Sequence, residues 1–200
     1  MKKILFASSN PAKIKRFSKK LLENEIELLS LKDIQLELEV EENGKDAIEN
    51  ALIKARAYFN ETKIPVIAMD DTLYLENVPE EHQPGTHVKR INGKTLTDEE
   101  MIEHYTALAK QYGENGQITA RWIYGMAIIN NGQETTYTWS KDDFYITDKK
   151  TSKNSPGYPL NTISINKKLG KYFTDLTEED NLLIKQNEDH VIDFIIKSIQ

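Results

Sequence analysis

Cysteine is absent from all 200 residues, which excludes disulfides, thiol nucleophiles and thiolate metal centres. No apolar run is long enough to cross a bilayer and no signal pattern opens the chain, so a cytoplasmic protein without a membrane partner is expected. A basic excess is also missing. Lys and Arg total 26 against 32 Asp and Glu, a net charge of −6, so general attraction to nucleic acid is not expected. A small anionic substrate is compatible with that balance, because a few lysines set the field inside a cleft. Glycine-rich phosphate loops of the Walker or dinucleotide type are lacking. Ser8 and Ser9 have no His/Asp partner motif for a hydrolase triad, and His82, His87, His104 and His190 show no metal-ligand spacing. Repeats and low-complexity tracts are absent too. What remains, 38% hydrophobic and 29% charged, describes a globular chain able to bury a real core.

The alternation of elements points to an α/β fold. Ile4, Leu5 and Phe6 read as a buried strand. Ile14, Phe17, Leu21 and Leu22 recur at helical spacing after it. Between them Ser8, Ser9 and Asn10 form a strand-to-helix turn, with Asn10 as N-cap and Pro11 at the first helical position. Such a turn with Lys13 one turn on suits an anion, or it is a capped helix with a solvated lysine. A short strand is expected within residues 25–31 and a second over Ile34–Val40, which alternates. A helix follows from about Asp46 to Asn60, then an apolar strand, residues 65–69, running directly into Asp70 and Asp71. Thr97 and Glu100 cap a helix reaching about Tyr112, and Asn131-Gly132 turns a long hairpin. Residues 172–176 hold a short strand or turn, and the last helix spans about Asp189 to Ile199.

Carboxylates crowd three places: Glu39, Glu41 and Glu42; Glu49 beside Asn50; and the Asp70-Asp71 pair. Adjacent acids at the end of an apolar strand are costly unless something neutralises them, and a hard divalent cation such as Mg²⁺ takes oxygen ligands of this kind. They can equally cap a turn, with Glu41 and Glu42 solvated. Lys54, four residues after Asn50, lies on the same helical face. An anion turn, a helix-borne lysine and an acid pair together suggest phosphate, metal and water.

This combination resembles the Ham-type inosine triphosphate pyrophosphatase family. The family's T/S-x-N-x-x-K turn is met by Ser8, Asn10 and Lys13, and its E-N-A-x-x-K-A helix by Glu49, Asn50, Ala51, Lys54 and Ala55 behind Glu42 and Gly44. Its D-D-S-G strand end is met by Asp70 and Asp71, and its P-G-x-x-x-x-R segment by Pro84, Gly85 and Arg90. The resemblance implies a mixed, elongated central β-sheet flanked by helices, in a single domain over residues 1–200 with two lobes and an active-site cleft between them. It implies that Ser8, Asn10, Lys13, Asn50 and Lys54 hold a triphosphate, that Glu42 and Asp71 bind Mg²⁺, and that Asp71, with Asp70 beside it, activates water. The implied reaction converts nucleoside triphosphates, non-standard purines such as ITP or XTP, to monophosphate and pyrophosphate in a homodimer.

Departures concentrate in the base-reading half. The glycine of D-D-S-G is Leu73, and the family's G-F-G-Y-D-P-x-F becomes SPGYPLNTI, keeping Tyr158 but not the aspartate after it. A family lysine falls on Asn181, and S-H-R, which in the family contacts base and phosphate, falls on Lys185, Gln186 and Asn187; the resemblance then leaves Tyr158 beside the purine and Lys185 as a partial replacement for a lost cation. Two other readings therefore stand beside the hydrolase: a catalytically impaired nucleotide-binding protein of the same fold, and a dimeric scaffold.

Overall fold

The computed structural model describes residues 1–184 and 188–199. In chain order they form β1 (Lys2–Phe6), α1 (Pro11–Glu23), β2 (Ile26–Leu29), α2 (Ala47–Thr62), β3 (Val66–Leu75), β4 (Arg90–Ile91), β5 (Lys94–Thr95), α3 (Asp98–Tyr112), β6 (Gln117–Asn130), β7 (Gln133–Thr147), β8 (Ser164–Asn166), α4 (Glu178–Leu183) and α5 (Asp189–Ile199). Six strands make one mixed sheet in the order β2-β1-β3-β6-β7-β8, flanked by helices, and β4 and β5 form a separate pair. No helix of the described residues is long and apolar enough to cross a membrane.

The described residues group into two compact units. The first holds Met1–Asp71, Tyr124–Trp139 and α5 with Glu188; the second holds Thr72–Ile123 and the residues from Ser140 through α4.

In the first unit β1 runs parallel to both β2 and β3, with Lys2 opposite Ile26 and Leu5 opposite Val66. Parallel strands covered on both faces need apolar side chains on both, which explains the unbroken Ile4-Leu5-Phe6. Leu5 and Ala7 pack with Ala51, Ala55 and Tyr58 of α2, together with Val66, Ala68, Ala127 and Ile129. Phe6 stacks on Phe17 of α1 at 6.1 Å. Val191 and Ile195 of α5 are fully buried, and α5 packs beside α1. Leu22, counted in the apolar stripe of α1 by its spacing, is instead exposed.

Two further sequence expectations change. Ile34–Val40 alternates as a strand should, yet residues 31–35 form turns and 36–40 carry no ladder. Gln35 adopts φ 53°, which breaks the extended run, and Leu38 N–H donates to the Tyr58 hydroxyl at 3.0 Å rather than to a neighbouring strand. Ile34, Leu36, Leu38 and Val40 still face one way, packed on the α2 cluster. The period-2 pattern thus reports burial of one edge, not strand pairing. Likewise, β3 does not end at the acid pair. It continues through Asp70 and Asp71 to Leu75, so both carboxylates project from mid-strand. With Leu73 fully buried where the family has its turn glycine, the chain extends instead of bending.

In the second unit α3 opens with a complete capping box between Thr97 and Glu100. Its Met101, Ile102, Tyr105 and Leu108 pack with Leu73, Leu75, Ile118, Phe144 and Ile146. Residues 173–175 are a single 3₁₀ turn.

Asn131 (φ 51°) and Gly132 (φ 78°) make the two-residue turn joining β6 and β7, both in the left-handed region that a type I′ hairpin requires. Ala47, Ala51 and Ala55, all buried on α2, let that helix approach the sheet closely. Gly125 of β6 completes the contact: a Cβ there would lie 2.4 Å from the Ala47 carbonyl carbon. Backbone cannot yield as a flexible side chain can, so Gly125→Ala is expected to cost about 1–3 kcal/mol by overpacking, read as a lower midpoint in urea unfolding. Gly132→Ala, in open space, meets only its dihedral penalty of about 1 kcal/mol.

Candidate active site

The turn after β1 brings its own hydrogen-bond partners. Asn10 caps α1, its Oδ1 accepting from Ala12 N–H at 2.9 Å, and the Ser8 hydroxyl accepts from Asn10 N–H at 3.2 Å. Lys13 N–H donates to the Asn10 carbonyl at 3.1 Å. The N–H groups of Asn10, Ala12 and Lys13, which the turn was expected to offer an anion, are therefore engaged by Ser8 and Asn10, and the helix dipole and side-chain cations carry more of the attraction.

Those cations are held by acids. Lys13 Nζ lies 2.8 Å from Asp71 Oδ2, the two side chains only 15% and 19% exposed, so solvent screens the pair weakly. Lys54 Nζ lies 2.9 Å from Glu42 Oε2. Asn50, 2% exposed, joins the loop before α2 to β3. Its Oδ1 accepts from Gly44 N–H at 2.8 Å and its Nδ2 donates to Asp70 Oδ2, also at 2.8 Å. Gly44 has no room for a side chain, because a Cβ would sit 2.7 Å from Asn50 Oδ1. A buried amide with both ends engaged is costly to remove, on the order of 1–3 kcal/mol for each orphaned partner.

Burial pushes the Asp70 carboxyl above its ordinary value, opposed by Lys54, the Asn50 hydrogen bond and Lys13, and reinforced by Glu42. The Lys13–Asp71 and Lys54–Glu42 pairs and the Asn50–Asp70 hydrogen bond, on adjacent residues of β3 and one face of α2, gather Lys13, Glu42, Asn50, Lys54, Asp70 and Asp71 into one group. All six belong to the first unit. Asp71 Oδ1 is buried with no hydrogen-bond partner among the described residues. No three His, Cys, Asp or Glu side chains among the described residues come together as a metal cage. A cation held here would rest on one or two carboxylates, the number Mg²⁺ accepts when phosphate oxygens and waters complete its octahedron. An all-oxygen donor set with one orphaned buried carboxylate oxygen fits such an ion.

Of the remaining sequence-derived candidates, Tyr158 belongs to the second unit, half-buried at the cap of the 3₁₀ turn Pro159–Ile163. Lys185 lies outside the described residues.

Sequence reasoning missed a second group beside these. The Arg16 Nε donates to Glu188 Oε2 at 2.7 Å, and its Nη2 donates to the other oxygen. The guanidinium sits 4.7 Å from the centre of the Tyr124 ring, which stacks on Trp139 at 5.0 Å. Burial raises the Tyr124 phenol, and Arg16, Asp71 and Glu188 all act on it, so it stays protonated near neutrality. One signal was available: Arg16 follows Lys13 by three residues on the same helical face. Nothing local marks Tyr124 or Glu188.

Comparison with known proteins supplies the family. The chain is 30% identical over 189 residues to the dITP/XTP pyrophosphatase of Bacillus subtilis (strain 168), covering 94% of this chain and 93% of that one. It is 28% identical to the dITP/XTP pyrophosphatase of Thermoanaerobacter sp. (strain X514), covering 99% and 98%. The structure of the Staphylococcus aureus Ham1 protein shares the fold, with TM-score 0.73, 24% identity and coverage of 98% and 99%. The model of the Ham1 family matches residues 4–186, and this chain belongs to that family.

Proposed function

We propose that this chain is a nucleoside triphosphate pyrophosphatase, hydrolysing its substrate to nucleoside monophosphate and pyrophosphate. The observation that carries the reading is the Lys13–Asp71 pair, with Asp70, Asn50, Lys54 and Glu42 gathered around it. In this reading Lys13 and Lys54 exchange their carboxylates for phosphate oxygens, Ser8 and Asn10 contribute polar contacts, and Asn50 supports the substrate-binding group from behind by holding Gly44 and Asp70. Asp71, relieved of Lys13, orients a water against the phosphorus nearest the nucleoside and accepts its proton. The new P–O bond forms as the bond to pyrophosphate breaks. The two lysines neutralise charge building on the leaving group. Glu42 and Asp71 are the residues that would hold Mg²⁺, which when bound adds further neutralisation of that charge. Asp70 has a different part. Its Oδ2 accepts from Asn50 Nδ2, so it ties α2, the helix that carries Lys54, to β3 beside Asp71. The names of the relatives favour dITP and XTP as substrates. A cytoplasmic homodimer, with Tyr158 by the purine and Lys185 as a substrate-binding cation, comes with this reading by resemblance alone.

The test is pyrophosphate release from a panel of dITP, XTP, ITP, ATP and GTP with Mg²⁺. Asp71→Asn is expected to lower kcat about a hundredfold or more, as loss of a general base does. Lys13→Ala is expected to lower kcat/KM on the order of tenfold or more, the worth of a charge-assisted phosphate contact. A panel in which the wild type turns over no faster than these variants rejects the reading. Nucleotide-dependent thermal stabilisation without turnover would then identify a binding protein.

The raised Asp70 also fixes a pH dependence. Its folded value lies above its unfolded value of about 3.9, so the folded state holds the extra proton and stability is lost as pH rises through that window. Asp70→Asn has no proton to lose. The melting-temperature difference, variant minus wild type, is expected to become more positive from pH 4 toward neutrality, measured by calorimetry across that range; a flat or falling difference contradicts the assignment.

A further inference from the structure

We infer that Arg16 is an additional polyphosphate-binding cation, and that Glu188 is the carboxylate that occupies its fork until an anionic ligand arrives. The inference rests on the hydrolase reading and deepens its substrate site. Arg16 stands one helical turn beyond Lys13 on the same face of α1, so the two cations are neighbours. The Arg16 guanidinium lies 4.7 Å from the centre of the Tyr124 ring, and Lys13, one turn back on α1, pairs with Asp71 at 2.8 Å. Arg16 is therefore tied to the acid pair through its helical neighbour.

Its present partner has the right chemistry to be exchanged. Glu188 engages both nitrogens of the guanidinium fork, the same bidentate geometry a phosphate adopts. The side chains are 20% and 26% exposed, so a ligand can reach the pair without unfolding α5. The backbone of Glu188 is anchored independently, its carbonyl accepting from Val191 and Ile192 N–H, so the side chain can release Arg16 while the helix start stays in place. Tyr124, stacked on Trp139, keeps the guanidinium aimed when Glu188 lets go. The same pattern holds for Lys13 with Asp71 and Lys54 with Glu42: each cation of the site waits on a carboxylate.

Inorganic tripolyphosphate is the probe, titrated calorimetrically without divalent metal into wild type, Arg16→Gln, Glu188→Gln and Lys13→Ala, with melting temperatures recorded for each. Glu188→Gln is expected to tighten tripolyphosphate binding about three- to fivefold, the worth of the competing ion pair, even where it lowers the melting temperature. Arg16→Gln is expected to weaken it on the order of tenfold or more, the worth of a charge-assisted hydrogen bond. If Glu188 is only a tether for α5, its replacement lowers stability and leaves affinity unchanged or weaker, and the inference is overturned. Should Glu188→Gln not fold, unchanged affinity in Arg16→Gln overturns it equally. Failure of the parent reading looks different: wild type then binds no tripolyphosphate in a manner that depends on Lys13.

Discussion

Two adjacent carboxylates in the middle of an apolar strand are the constraint around which the first unit is built. β3 is buried before and after Asp70 and Asp71, so the acids cannot turn to bulk water as they would at a strand end. Each finds a separate remedy. Asp70 takes a hydrogen bond from buried Asn50 and has its pKa raised by burial, whereas Asp71 takes the ammonium of Lys13. Asn50 is in turn fixed by Gly44, and Lys13 by the capped start of α1. The loop before α2, the first helix and the central strand are thereby tied to one cluster of charges. Close packing between α2 and Gly125 holds the helix carrying Asn50 and Lys54 against the sheet that carries the acids.

A site built this way is neutralised internally before any ligand binds. Lysines left unpaired near one another would repel, and so would the acids; pairing them removes both costs. In the proposed mechanism, binding a triphosphate is an exchange of one anion for another on the same cations, and the exchange releases a carboxylate where a water is to be activated. Net affinity is accordingly a difference between two ion pairings, not the full strength of one, which suits an enzyme that must release pyrophosphate after each turnover.

Much of this was legible in the sequence because it depends on short-range spacing. The Asn10-Pro11 start of α1, the Asn50 and Lys54 face of α2 and the Asn131-Gly132 turn are all local signals, and each appears where its residues indicate. What was illegible depends on distant partners. The alternation of Ile34–Val40 is the same whether the segment pairs with a strand or packs on Tyr58, and only the fold selects the second. The end of β3 was misplaced because two aspartates resemble a strand terminus when Asn50 and Lys13 are not in view. Arg16, Tyr124 and Glu188 sit more than sixty residues apart in turn, so no window could join them. The donor-rich turn was legible as a turn, but not the fact that Ser8 and Asn10 satisfy it themselves.

The claim that everything else depends on is that Asp71 competes with the ligand for Lys13. Its most direct test is equilibrium binding of a nucleoside triphosphate to Asp71→Asn in the absence of divalent metal. Removing the competing charge is expected to leave a protein that binds the nucleotide more tightly than wild type while turning it over at least about a hundredfold more slowly once Mg²⁺ is restored. Weaker binding by Asp71→Asn under those conditions would mean that Lys13 is not held in reserve by the acid, and would contradict the exchange of anions on which the mechanism is built.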